Sequence, residues 1–372
     1  MKIHPLLQDP KAVFVFQRPL SETPDWETYR RAGVEALECM QVELEGEKAA
    51  FKPNATSGER FANPDSGITT HPAFVQGLIE YLQAHGARRG STRIIEDPRN
   101  TDDNFPRHWH ETGFERVAET CGAKLNCPTT FTCVRKTVPV PQAHADLLVS
   151  RLAVDAGTAL FNVPKLKTHN LAITTLCLKN LMGLVFARER HYCIQAWAEM
   201  PEEVRANTRP RYEWFEPDMH LRWQEGLARR LVDTAQVIQP ALNVVDGIVG
   251  REGTGFQRGR NRLLGLVVAG INMVAVDSLA SYLVGFDPES LVYLQLAARA
   301  GLGENRVEKL NVLTARDGEL RPCPSLNALR TMQVQPPFRV ISGVRGEDLN
   351  PFPFDPGAVP AGNDPILHVH KS

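Results

Sequence analysis

The stretch TALFNVPKLKTHNLAITTLCLKNLMG, residues 158–183, decides how the chain is read. It opens on a short apolar run, 159–163, that predicts a buried strand. Pro164 closes that strand, because proline cannot donate to a ladder hydrogen bond. Lys165, Lys167 and His169 follow at every second position, so an extended backbone turns all three to one face. Asn170 is placed to cap a helix over 171–182 that ends at Gly183. A strand end, three cationic or titratable groups and a helix N-terminus together predict an anion site. The competing reading is a solvated loop carrying two lysines and a histidine. Open α/β sheets bind their ligands at strand carboxyl ends, which favours the site.

Strand and helix patterns alternate outward from this stretch in both directions. Strands are expected at 13–16, 49–52, 92–95, 242–246, 264–269 and 310–314, with a β-rich piece near 131–138. Helices are expected at 26–40, from a Thr70 cap through Pro72 to Gly86, at 105–120, 144–150 and 221–238. Two more are signalled, one capped by Asn272 and bearing Asp277, the other opened by Asp287, Pro288 and Glu289. The pattern predicts an α/β fold. It has a largely parallel or mixed sheet with helices on both faces, β-rich excursions and a long insertion at 186–219. Residues 1–320 read as one α/β unit, with room for two lobes meeting near 150–160, and 321–372 as a proline-rich wrap.

Bulk properties narrow the function classes. A net charge of −1 with 23% charged and 42% hydrophobic residues is ordinary for a globular protein. No basic excess points to nucleic acid or an anionic membrane. The first residues, MKIHPLLQDPK, lack the apolar run of a secretion signal, so a cytoplasmic location is expected. Gly270, Asn272, Asp277 and Ser278 break the longest apolar candidate, 263–286, into a strand and a capped helix rather than a membrane span. Seven cysteines occur without any C-x-x-C, which removes zinc-ribbon and ferredoxin-type motifs. The sequence leaves a homo-oligomer open.

Three further constellations carry chemistry. Lys52 and Asn54 stand at the end of a second strand, and Asp246 ends a third, where a carboxylate is costly unless paired or coordinating. Asp246, Glu252 and His191 are the candidates for a divalent metal, with Asp246 alternatively a general base. Residues 247–262 form a glycine-rich basic loop in which Arg251 and Arg258 could contact an anion, against the competing reading of a solvated hairpin. Gly253, Gly255 and Gly259 give G-x-G-x-x-x-G between two strands, so there is no nucleotide-binding fingerprint. Lys179 reads either as a helix-end cation or as a desolvated amine in the same pocket. Asp277, inside an apolar helix, reads as a structural acceptor, against the competing reading of a metal ligand or general base.

Taken in order, Lys52-Pro53-Asn54, NVPKLKTH, Lys179 to Gly183, Val245-Asp246-Gly247, Ala275 to Ser278 and Gly285 to Pro288 resemble one family. It is the family catalogued as domain of unknown function 362, and the resemblance spans roughly 48–314. Some members carry an added ferredoxin-like iron–sulfur module, whose cysteines are absent here. The chain departs from the pattern at Thr69-Thr70-His71-Pro72, where an acidic residue is expected before the proline, and in the 186–219 insertion.

Two functions are carried forward. One is an enzyme acting on a small anionic metabolite, carboxylate- or phosphate-bearing, by acid–base chemistry of Lys165, Lys167, His169, Lys179 and Asp246. In it Lys52, Asn54, Asn170, Arg251 and Arg258 bind substrate, with metal assistance left open. The other is a non-catalytic ligand-, metal- or cluster-binding accessory protein for cofactor assembly or electron transfer.

Overall fold

The fold is that of a computed structural model, which describes residues 1–372 except 19, 56–63, 89, 97–104, 130, 187–188, 208–216, 254–258, 317–318, 342–365 and 368–372. The apolar runs become strands, most of them in one large sheet, with β5 and β6 paired apart from it. In chain order the strands are β1 (Ala12–Gln17), β2 (Lys48–Pro53), β3 (Arg93–Ile95), β4 (Lys124–Asn126), β5 (Cys133–Thr137), β6 (Asp146–Ser150) and β7 (Thr158–Val163). They continue with β8 (Lys165–His169), β9 (Ile173–Thr175), β10 (Leu242–Arg251), β11 (Asn261–Gly270), β12 (Asn311–Arg316) and β13 (Glu319–Pro322). Across the main sheet the order is β13-β12-β1-β11-β10-β7-β2-β3-β4, with β8 also paired to β10 and β9 to β8. β12/β1, β10/β7, β7/β2, β2/β3 and β3/β4 run parallel, while β11 is antiparallel to both its neighbours. The sheet is therefore mixed and mostly parallel, with the two apolar runs 159–163 and 242–245 in its interior.

Period-two side chains divide the core between the two faces. Along β7, Ala159, Phe161 and Val163 pack in one cluster with the helices Trp26–Cys39 and Pro72–Ala84. Leu160 points the other way, into a cluster with the helices Pro217–Val237, Met273–Leu283 and Val292–Arg299. Asp25 caps the first helix by accepting from Thr28 N–H, and Asn272 caps Met273–Leu283 as its sequence predicts. Among the described residues no helix is long and apolar enough to cross a membrane.

The structure corrects several local expectations. No helix starts at Asn170. His169 Nδ1 instead accepts the N–H groups of Leu171 and Ala172, Ile173 adopts a left-handed φ of 68°, and β9 folds back antiparallel on β8. The β-branched run Ile173-Thr174-Thr175 suits a strand, and the helix is reduced to Cys177–Asn180 followed by a 3-10 turn, Leu181–Leu184. Residues 146–150 are a strand, not a helix, because Leu147 and Val149 alternate inward and pair with β5. The helix expected at 105–120 is two, Phe105–Glu111 and Phe114–Cys121, divided where Gly113 takes φ 78°. His71 rather than Thr70 caps Pro72–Ala84, its Nδ1 accepting from Ala73 N–H. Asp287 and Pro288 open only a 3-10 turn, and the helix follows at Val292–Arg299.

Candidate functional site

The carboxyl ends of β2, β3 and β7 lie side by side, and β8 leaves β7 after Pro164 to run along β10. Charged side chains that the sequence spreads over almost two hundred positions meet there, all nearly closed to solvent. Lys165 Nζ donates to Asp246 Oδ2 at 2.9 Å, and the two side chains are 1% and 0% exposed. Asp246 is thus not at a strand end but inside the ten-residue β10, with its carboxylate also accepting His71 N–H at 2.9 Å and Ile248 N–H at 3.3 Å. Lys165 also sits 5.6 Å from the ring centroid of Tyr29, on which His71 stacks at 3.7 Å.

Lys167, two residues on, reaches past this pair. Its Nζ donates to Asn54 Oδ1 at 2.9 Å and to the carbonyl of Ile68 at 2.8 Å. Lys52, on β2, donates to Glu96 Oε2 at 2.8 Å, and both of those side chains are wholly buried. Burial pushes the ammonium groups of Lys52 and Lys165 below the ordinary lysine range, while Glu96 and Asp246 act against that shift. An amine held in this way can give up or take a proton nearer neutrality than an exposed one.

A ladder of amides ties the pairs together. Asn180 donates to the Lys52 carbonyl and to Asn162 Oδ1, each at 2.8 Å, and Asn162 donates to Asn243 Oδ1 at 2.9 Å. Gly183 lies against the Lys52–Glu96 pair so closely that a Cβ there would stand 2.3 Å from Glu96 Oε1. That contact gives a physical reason for glycine at the end of the Lys-Asn-x-x-Gly element.

Of the sequence candidates, the structure brings Lys52, Asn54, Lys165, Lys167 and Asp246 together. Arg251 joins them, buried opposite Lys167 and bonded to Asn261 Oδ1 at 3.1 Å. His169 is half-buried and spends its Nδ1 on the turn at 171–172. Asn170 is buried but begins no helix, and it is Asn180 rather than its half-buried neighbour Lys179 that bonds Lys52. Arg258 lies outside the described residues. The metal trio does not assemble. Glu252 pairs with Arg260 at 2.9 Å and Arg262 at 3.2 Å, Asp246 is taken by Lys165, and His191 precedes the helix Tyr192–Ala198. Among the described residues no group of three or more His, Cys, Asp or Glu could hold a metal ion. This donor set does not fit a divalent metal.

Glu96, His71, Asn162 and Asn243 went unread in the sequence. The signal for three of them was present, since Glu96 ends RIIE and the two asparagines interrupt FNVP and LNVV, polar residues within apolar strands.

Asp277 has the structural role expected of it. Its carboxylate accepts Cys177 N–H at 2.7 Å and Leu178 N–H at 3.0 Å, holding the start of the short helix that carries Asn180. Burial raises its pKa from 3.8 to about 7. The folded state therefore keeps a proton that the unfolded chain releases above 3.8, and stability falls as pH rises from about 4 to 7. At 1.36 kcal/mol per decade the loss is at most about 4 kcal/mol. Denaturant titrations at pH 4.5 and 7.5 should show Asp277→Asn gaining on wild type across that window. A pH-independent difference would refute the assignment.

A family model described as domain of unknown function (DUF362) matches residues 49–282, the span that contains every charged member of this cluster. The chain belongs to the DUF362 family. A thylakoid-associated protein of Synechocystis sp. is 25% identical over 265 residues, 71% of each chain. A crystal structure of a protein from Thermotoga maritima aligns with 76% of this chain and 61% of its own, at 10% identity and a TM-score of 0.39. The DUF362 match begins at β2 and ends in the helix Met273–Leu283, so it takes in the strands that carry Lys52, Lys165, Lys167 and Asp246.

Proposed function

We propose that this DUF362 protein is an enzyme that acts on a small anionic metabolite, a carboxylate or phosphate, by lysine-based acid–base chemistry. The observation that carries the reading is the gathering of three lysines, each no more than 5% exposed, at the carboxyl ends of parallel strands. Lysine is strongly hydrated, so a fold that buries three in one place must use their charge or their protons. Lys165 and Asp246 form the proton-exchanging pair, and Lys167, which donates to Asn54 Oδ1 and the Ile68 carbonyl, is the group that turns to an anion. A purely structural cluster is the rival reading, and affinity separates the two.

Lys167→Met keeps the length of the side chain and removes its charge. It should weaken binding of a small carboxylate or phosphate monoester by about 1.5–3 kcal/mol, the range for hydrogen bonds to charged groups. Stability should drop by about 1–3 kcal/mol because Asn54 Oδ1 and the Ile68 carbonyl lose their donor. Lys136→Met, on the exposed face of β5, is the control and should change neither. Calorimetric titration of a panel containing malate, succinate, glycerol 3-phosphate and propyl phosphate reads the outcome. Affinities equal in wild type and Lys167→Met would overturn the reading.

A further inference from the structure

His108 stands on the helix Phe105–Glu111 and is 6% exposed. Its ring bonds the backbone of Ala55, the residue whose own N–H donates to Glu96 Oε2 at 2.8 Å. The imidazole is therefore one residue from the carboxylate that holds Lys52. Its Nε2 is shut off from solvent and has no hydrogen-bond partner among the described residues. Buried polar atoms are satisfied in the great majority of cases, so an orphan beside an ionised pair asks for a partner from outside the chain. Burial holds the ring below the ordinary histidine range, and a neutral ring that donates to a carbonyl through one nitrogen presents a lone pair on the other. Nε2 is then an acceptor. At the Lys167 end of the same cluster, Thr69 Oγ1 is also fully buried and also lacks a partner among the described residues, next to the Ile68 carbonyl that Lys167 occupies.

We infer that His108 is a further ligand-binding residue of this site, its Nε2 accepting a hydrogen bond from an O–H or N–H group of the bound acid. The inference rests on the anion-site reading and narrows it. The substrate class becomes small carboxylates or phosphates that also carry a hydroxyl or amino donor. Lys167 takes the anionic end and His108 the donor. Lys52 lies on β2 and Asn54, the partner of Lys167, follows one residue past the strand's end, so the two ends of the ligand are set about two residues apart along the chain, on the order of 7 Å if extended. A hydroxy or amino acid of three to five carbons, or a short polyol phosphate, has that reach.

The test uses matched pairs of acids that differ only in the donor: malate or aspartate against succinate, and glycerol 3-phosphate against propyl phosphate. Calorimetry on the full chain is combined with imidazole nitrogen NMR of histidine-labelled protein. Wild type should prefer the donor-bearing member at least tenfold, with malate and aspartate compared to tell a hydroxyl from an amino donor. On saturation with the preferred acid, the His108 Nε2 resonance should move, and succinate or propyl phosphate should leave it in place. His108→Leu should erase the preference while leaving the affinity for succinate within twofold, and His108→Gln, which keeps an acceptor, should retain part of it. An unmoved resonance at saturation would assign Nε2 to a trapped water and overturn the inference, even if His108→Leu fails to fold. A preference that survives in His108→Leu would overturn it equally. In both cases Lys167→Met still weakens donor-bearing and donor-free acids alike if the anion-site reading holds. If Lys167→Met changes neither, or no acid of the panel binds, that reading fails and this one with it.

Discussion

Lys165→Met should lower the stability of the protein by about 3–5 kcal/mol, the range for removing one partner of a buried ion pair. The loss comes from the carboxylate left behind. Asp246 is wholly buried, and after the substitution the N–H groups of His71 and Ile248 are what remains to face it among the described residues. Asp246→Asn should cost a similar amount, because it strands a buried ammonium while keeping an acceptor for His71 N–H. The double variant Lys165→Met/Asp246→Asn carries no net charge in the pair. It should be less destabilised than the sum of the singles, with a coupling of about 2–3 kcal/mol, the upper part of the range for directly contacting residues. Denaturant titration of all four proteins measures the cycle. Additive losses would mean that Lys165 and Asp246 do not interact in solution.

Gly183→Ala should be comparably damaging, although alanine is only one methyl larger. Its Cβ would lie 2.3 Å from Glu96 Oε1, 2.5 Å from Lys52 Cε and 2.7 Å from Lys52 Nζ. Those atoms are the ends of side chains that could move in an open site. Here both are fully buried and fixed on each other, with Ala55 N–H and Asn180 as further partners. Overpacking alone costs about 1–3 kcal/mol, and separating the pair brings the expected loss to about 3–5 kcal/mol. Gly157→Ala is the control, since the nearest atom to its added Cβ is at 3.9 Å. It should stay within about 0.5 kcal/mol of wild type. A Gly183→Ala protein as stable as wild type would show that the Lys52–Glu96 contact is looser than its geometry.

The sheet was legible in the sequence because period and punctuation agree. The runs 159–163 and 242–245 are apolar, β-branched or aromatic but for one asparagine each, and bounded by proline or glycine, so burial on both sides is the arrangement that hides them. The stretch 170–182 misled because Leu171, Leu176, Leu178 and Leu181 mimic helical spacing. The β-branched run 173–175 and the two N–H bonds to His169 Nδ1 overrule that spacing. Part of the site was legible for a related reason. Lys165, Lys167 and Asp246 are charges next to apolar strands, and burying a charge demands a partner. The pairing itself was not legible, since Lys52 meets Glu96 only because β3 lies beside β2, and His108 reaches Ala55 only through a helix placed by the tertiary fold. Glu252 shows the converse. It looked like a metal ligand beside a glycine-rich loop and is instead neutralised by Arg260 and Arg262, just before and at the start of the strand that follows.

The central claim is that the buried lysines form an anion site rather than a set of structural ion pairs alone. A crystal structure with the tightest-binding acid of the panel tests it most directly. The account predicts that the carboxylate or phosphate lies within hydrogen-bond distance of Lys167 Nζ, which will have turned from Asn54 Oδ1 or the Ile68 carbonyl to meet it. An acid bound elsewhere, with Lys167 still donating to both of those oxygens, would contradict it.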